Sequence, residues 1–292
     1  MWLAAWIGTA LAATPIAVVI SDDIAAYEEP VASFLADVDG QTTVYRLHGR
    51  EAEAAAVSAR LASDPPQIVF AVGAKAAWTA RRALPQVPVV YAAVRDPARY
   101  GIVGPMVTGV TMAVPPETTL SQFVAFFPDA KRIGVVGGPA LGAEAEADLV
   151  RAAGDVGVTL AILRVEGGRD VRGALHAARD IDALWLLPEV ELLTPNVFRT
   201  LLEDSRRRQL PLMVDTPTLV RAGATFAVVP DPVGVGQQAA GMVQVILDGA
   251  YPSDIDREAP LGRKVALNRR AMEQAGLVFD PLLADFVDIL VD

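Results

Sequence analysis

Short apolar runs alternating with helical segments constrain this chain more than anything else in it. The first series of runs covers 16–20, 43–47, 68–72, 89–92 and 108–113; the second covers 133–136, 160–165, 183–187, 212–214 and 226–229. They are continuously apolar rather than alternating, as strands covered on both faces are. Strand and helix in turn predict an α/β protein with parallel sheets. The clearest helix is predicted over 233–248. Asp231 can cap it, Pro232 suits its first turn and Gly249 its C′ position. Val235, Ala239, Met242, Val243 and Ile246 form its apolar stripe at helical spacing. Val114-Pro115-Pro116 separates the two series and Val229-Pro230-Asp231-Pro232 follows the second; neither can be a helix interior. Two similar α/β lobes joined by short Pro-rich crossings are expected.

Composition removes several function classes. The chain has 292 residues, 52% of them apolar, which is ample for packed cores. Its net charge of −10 is a poor match to nucleic acid or an anionic membrane surface, both of which need a basic footprint. With no Cys there are no disulfides, thiolate metal sites, Cys nucleophile or lipid-anchored Cys. With only two His, His48 and His176, a His-based metal site or catalytic triad is not expected, and no cofactor is called for. Residues 1–20 carry no charged side chain. Ala10-Leu11-Ala12 is a small-x-small site of the signal-peptidase type, and Pro15 breaks any helix there. Residues 1–15 are read as a signal peptide or N-terminal apolar segment; a retained anchor and a start-site artefact stay open. No later stretch reaches membrane length without a charge or a helix breaker, so the mature chain is expected to have no span.

Ligands of open parallel sheets bind outside the carboxyl ends of the strands. The candidate binding residues are therefore those that follow each run: Ser21, Asp22 and Asp23; Gly73, Ala74 and Lys75; Arg95 and Asp96. In the second series they are Gly137 and Gly138, Pro188 and Glu189, and Asp215 and Thr216. Free N–H groups where Gly73, Ala74 and Lys75 open a helix can hold a carboxylate. Asp22, Asp23 or Glu189 can accept from an ammonium group, so an amino-acid-like or zwitterionic small molecule suits the set. Each residue also has a plainer role. Asp22, Asp23 and Asp215-Thr216-Pro217 read first as helix caps, Gly73 as a tight-turn residue, and Lys75 and Arg95 as solvated. Trp78 and Trp185 read as core. The two His read as structural, and Glu28-Glu29 and Arg206-Arg207-Arg208 as solvated helix faces.

Enzyme motifs fail. The first strand leads to Ser21-Asp22-Asp23-Ile24 rather than G-x-G-x-x-G, and Gly234-Val235-Gly236-Gln237-Gln238-Ala239 lies inside a helix. Walker A and G-x-S-x-G are absent.

Five segments together resemble the ABC-transporter substrate-binding proteins related to tryptophan- and tyrosine-binding proteins. They are Val87-Pro88-Val89-Val90-Tyr91 with Asp96-Pro97 and Val107-Thr108-Gly109-Val110-Thr111; Phe127-Pro128-Asp129-Ala130-Lys131-Arg132-Ile133-Gly134-Val135; Gly234 to Ala240; Ile246-Leu247-Asp248-Gly249; and Val265-Ala266-Leu267-Asn268 with Ala275-Gly276-Leu277. The resemblance implies a type I periplasmic-binding-protein fold, with two Rossmann-like lobes and three crossovers. Lobe 1 would be 16–114 plus 231–251, and lobe 2 115–230 plus 262–292. It further implies a periplasmic or otherwise extracytoplasmic, non-catalytic protein that captures a small molecule between its lobes by hinge closure and delivers it to an ABC permease. A ligand-sensing module of the same fold is the first alternative, and an α/β enzyme the second. Gly73-Ala74-Lys75-Ala76 stands where the family commonly has a Ser/Thr-rich turn, and Glu189 where it has an Asp.

Overall fold

The β-branched run that opens the sheet is β1 (Pro15–Ile20), and it is followed by α1 (Ala25–Asp37), β2 (Gln41–Arg46), α2 (Glu51–Ser63), β3 (Ile68–Val72), α3 (Ala74–Ala83), β4 (Val89–Val94) and β5 (Val107–Thr111). Next come α4 (Pro116–Phe126), β6 (Arg132–Gly137), α5 (Ala143–Asp155), β7 (Thr159–Arg164), α6 (Val171–Ala177), β8 (Ala183–Leu186), α7 (Pro195–Arg208), β9 (Leu212–Val214), α8 (Pro217–Arg221) and β10 (Phe226–Pro230). The chain ends with α9 (Pro232–Leu247), β11 (Arg263–Asn268), α10 (Arg269–Gln274) and β12 (Ile289–Val291). The computed structural model describes residues 15–166 and 170–292. The N-terminal apolar segment ahead of Pro15 lies outside them. All ten strands expected from the apolar runs form, with ends shifted by no more than two residues.

The chain divides into two compact units. Unit 1 runs through Met112 and takes in Asp231–Gly262; unit 2 is Ala113–Pro230 with Arg263–Asp292. Unit 1 holds an all-parallel sheet in the order β2-β1-β3-β4-β5. Both faces are covered. On one, Val31 and Phe34 of α1 and Ala239, Met242, Val243 and Ile246 of α9 pack on Val18, Phe70 and Val90. On the other, Leu61 of α2 and Ala76, Ala77 and Ala80 of α3 pack on Val19, Val69 and Tyr91. Unit 2 holds seven strands in the order β12-β11-β10-β9-β8-β6-β7. The ten expected strands pair in parallel, as predicted, and the additional strand β11 runs antiparallel to β10, from Pro230↔Arg263 to Phe226↔Leu267. Neither β11 nor β12 was among the expected strands. A Phe cluster of Phe123, Phe126, Phe127 and Phe226 fills one face of this sheet.

Local chemistry ends and starts the helices as their residue types require. Asp231 caps α9 through Val233 N–H at 3.3 Å, with Pro232 behind it. Thr194 caps α7, and Gln209 in the left-handed region at φ 55° ends it. Two residues of the Gly234–Ala240 segment have packing duties. At Gly236 a Cβ would lie 2.1 Å from Ser33 Oγ and 2.2 Å from the Pro30 carbonyl oxygen, so α9 can approach α1 only with glycine there. Gln238 pins the 258–261 segment. Its amide nitrogen donates to Glu258 Oε2 and the Ala259 carbonyl, and its amide oxygen accepts from Leu261 N–H.

Candidate ligand-binding site

At the carboxyl end of the unit 1 sheet, the segments after β1, β2 and β3 are tied together. Pairing of Ile20 with Arg46 brings residues 21–23 level with residues 47–49, and Gly49 N–H donates to the Ser21 carbonyl at 2.9 Å. Ser21 is buried, and its Oγ accepts from Ala76 N–H of α3 at 2.8 Å. Gly73, at φ 88°, admits this contact: a Cβ there would meet Ser21 Oγ at 2.5 Å and Tyr27 Oη at 2.7 Å. Gly73 thus serves both as the left-handed start of α3 and as a space for two hydroxyls. Lys75 Nζ donates to the Gly49 carbonyl at 2.5 Å and lies 4.0 Å from Glu51. It closes the β2–α2 turn rather than standing in solvent.

The two acids after β1 do different things. Neither caps α1, whose N-cap is Ile24 with no side-chain hydrogen bond; the cap reading is corrected. The carboxylate of Asp23 sits 2.5 Å from His48 Nδ1 and 3.4 Å from Arg46 Nη1. A carboxylate only accepts, so Nδ1 carries the proton. This bond to His48 holds the Asp23 carboxyl below its ordinary range. Arg46 also forks onto Glu28 at 2.8 and 3.0 Å, lowering that carboxyl too and correcting its reading as merely solvated. Asp22 keeps its carboxylate over Gly49, where a Cβ would come within 2.9 Å of Oδ2, and accepts from the Asp23 N–H at 2.8 Å. The half-buried phenol of Tyr27 is raised by burial and then by the charge of Asp22.

His48 and Tyr27, left out of the candidate set read from the sequence, lie against it, His48 on Asp23 and Tyr27 beside Gly73. His48 is paired with an acid 25 positions away, a relation that only the β1–β2 register reveals. The same edge contains two further left-handed residues without glycine's freedom: His48 at φ 50° and Ala93 at φ 57°. The latter sits where the register of β4 against β5 shifts, just before Arg95 and Asp96. Asp96 Oδ1 accepts from Arg99 N–H at 3.1 Å, and Arg95 is half-buried.

In unit 2, β6, β8 and β9 lie side by side, so Gly137 and Gly138, Pro188 and Glu189, and Asp215 and Thr216 share one edge. Glu189 binds the turn after β6: Oε1 accepts from Gly138 N–H at 2.7 Å and Oε2 from Ala140 N–H at 3.0 Å. Both its oxygens therefore serve the protein's own backbone. Beside them is an open cavity of about 400 Å³ lined by Pro116, Leu141, Ala145, Leu149, Leu187 and Pro188. Thr216, not Asp215, caps α8, through Leu219 N–H at 3.3 Å. Trp185 is core, as read, but Trp78 is 39% exposed with Arg82 over its ring. The triple-Arg run is only partly solvated, because Arg207 and Arg208 pair with the buried carboxylate of Asp204.

Over residues 36–284 the chain matches the family described as ABC transporter substrate binding protein. The chain belongs to that family. Solved structures similar to this substrate-binding protein support the same fold. One is the ligand-free, open CD0873, a substrate binding protein with adhesive properties from Clostridium difficile. Its TM-score is 0.74 at 17% identity, over 96% of this chain and 99% of that one. Another is the ABC domain in complex with L-Trp from Streptococcus pneumonia, with TM-score 0.60 at 18% identity over 94% and 100%. A third is a mutant XylFII–LytSN complex, with TM-score 0.60 at 12% identity over 87% and 98%. No curated protein sequence matches this one. Both the family and the neighbours are binding proteins rather than enzymes. Among the described residues no helix is long and apolar enough to cross a membrane, and no group of acidic or His side chains could hold a metal.

Proposed function

We propose that this protein captures a small molecule outside the cytoplasm and delivers it to an ABC permease. Family membership over 36–284 carries the reading. The polar turns at the carboxyl ends of both sheets support it, since parallel α/β sheets bind ligands there. The residues assigned to ligand contact are Ser21, Asp22, Gly73, Arg95 and Asp96 in unit 1, and Pro188, Asp215 and Thr216 in unit 2. Asp23, Lys75, Gly137, Gly138 and Glu189 hold or shape the turns that present them. The apolar segment ahead of Pro15, with Ala10-Leu11-Ala12, supports export.

The test is a thermal-shift screen of amino acids, amines, nucleosides, sugars and carboxylates, followed by uptake of any hit in cells with and without the gene. A ligand at 100 times its Kd stabilises by about 2.7 kcal/mol. Uptake lost with the gene supports delivery. Binding without any change in uptake favours a second reading, a ligand-sensing subunit that reports to a partner protein; the XylFII–LytSN complex among the structural neighbours is an instance of this fold in complex with a second protein. Absence of any stabilising compound counts against both.

A further inference from the structure

At the end of the unit 1 sheet opposite the candidate ligand residues lies a second built surface. β4 begins at Val89 and β5 at Val107, and beside these amino ends is a cavity of about 100 Å³ lined by Arg81, Leu84, Val87, Val103, Pro105 and Met106. Apart from Arg81 these walls are apolar, with room for one aliphatic side chain. The rim is cationic. The outward stripe of α3 carries Trp78, Arg81 and Arg82, while Ala76, Ala77 and Ala80 face the sheet. Arg81 Nε donates to the Val103 carbonyl at 2.8 Å, and Arg82 lies over the Trp78 ring, 5.1 Å from its centroid. Among the described residues neither arginine pairs with a carboxylate. The β4–β5 connection adds Arg99 and exposes Tyr100 and Val103. The charge of −10 hides this contrast: residues 65–116 carry five basic residues and one acid, a net of +4, which leaves −14 for the rest of the chain.

We propose that this face docks a partner protein through an acidic segment bearing one apolar side chain, which fills the cavity while the carboxylates lie on Arg81, Arg82 and Arg99. Trp, Tyr and Arg are the residue types that dominate binding energy at protein interfaces. Arginine takes carboxylates in a forked, charge-assisted geometry. The Trp78 ring already holds the Arg82 side chain, so less freedom is lost when a carboxylate arrives. The acidic balance of the remaining chain disfavours such a segment elsewhere on the protein. Two copies meeting through this face would set like charges together, and an anionic lipid surface would meet the arginines but has no side chain for the cavity. The inference goes beyond ligand capture, since the surface is at the other end of the sheet from the residues assigned to it.

The experiment titrates the isotope-labelled full chain with the capped peptide Asp-Glu-Leu-Glu-Asp, read by NMR. Saturable shifts are expected at the Val87, Val103 and Met106 amides, with a Kd near or below about 1 mM. Replacing the central Leu by Ser, or the four acids by Asn and Gln, is expected to weaken binding about tenfold. Arg81→Gln/Arg82→Gln is expected to weaken it about tenfold as well, and Arg82→Gln alone, which keeps the Arg81 bond to Val103, about fivefold. Arg172→Gln/Arg199→Gln, the same charge change on exposed arginines of unit 2, is expected to matter less than about twofold. Melting of each variant establishes that it is folded. Absence of shifts at the cavity amides overturns the inference, as do equal affinities for the Leu and Ser peptides or equal losses in the two double variants. Arg81- and Arg82-dependent binding to phosphatidylglycerol vesicles without peptide binding overturns it in favour of a lipid surface. None of these results touches ligand capture, which the thermal-shift screen tests separately.

Discussion

Asp22 and Asp23 are neighbours with the same side chain, and nothing in their local sequence says which one is neutralised. The distinction comes from β2 and the turn after it, which deliver Arg46 and His48 to Asp23. It has a measurable consequence. Because the first cause of the lowered Asp23 carboxyl is its bond to His48, His48→Ala is expected to raise the Asp23 midpoint in a carboxyl-carbon NMR titration. An unchanged midpoint would show the bond to be absent in solution. The sign for stability follows from linkage. A carboxyl lowered in the folded state stabilises above its unfolded value of about 3.9, and that contribution disappears as pH falls through the lower folded value. Both groups are exposed, so the stability effect is small and the NMR midpoint is the better reporter. Pairings such as Asp23 with His48, or Glu189 with the Gly138 turn, join residues 25 and 51 positions apart and are visible only once strand order is known.

Helix α9 shows what could and could not be read at the level of elements. Its limits followed from Asp231, Pro232 and Gly249, and its apolar stripe from 3.6-residue periodicity. The purpose of its glycines did not, because periodicity is blind to how close a second helix comes. Gly236 lies against α1 and Gly241 faces open space. Gly236→Ala is therefore expected to destabilise by about 1–3 kcal/mol through overpacking, whereas Gly241→Ala stabilises by about 0.5–1 kcal/mol through helix propensity. Urea unfolding of the two variants checks the opposite signs; destabilisation by both would mean that α9 tolerates no side chain on its outer face either. Gln238 on the same helix is the clasp of the 258–261 segment. Gln238→Ala is expected to speed hydrogen exchange at the Leu261 amide at least tenfold, a loss of about 1.4 kcal/mol of protection, while amides in β3 exchange as before. Strands β11 and β12 escaped the sequence because β11 begins with Arg263-Lys264 and β12 is only three residues long. Short or charged starts break the continuous apolar signature that found the other ten.

At the scale of the molecule, each unit is assembled from distant stretches of chain. Residues of α9 cover one face of the unit 1 sheet together with α1, although almost the whole of unit 2 lies between them in sequence. A chain ending at Pro230 keeps all five strands of unit 1 but leaves Phe34, Phe70 and Val90 without that cover. It is expected to bind a hydrophobic dye and to lose cooperative thermal unfolding, read by fluorescence and circular dichroism. A sharp melt with no dye binding would show that α9 is dispensable. The same arrangement sets a timetable during synthesis. Roughly two hundred residues separate α1 from α9, and at about 5–20 residues per second that is an interval of roughly 10–40 s. For that time the part of the protein made first cannot finish, and its bare sheet face is available to any chaperone or export factor that recognises apolar surface. Secretion of a chain through a narrow membrane pore requires it to stay unfolded until it reaches that pore. An early unit that must wait for a late helix supplies such a delay through connectivity alone, which would serve the export proposed above.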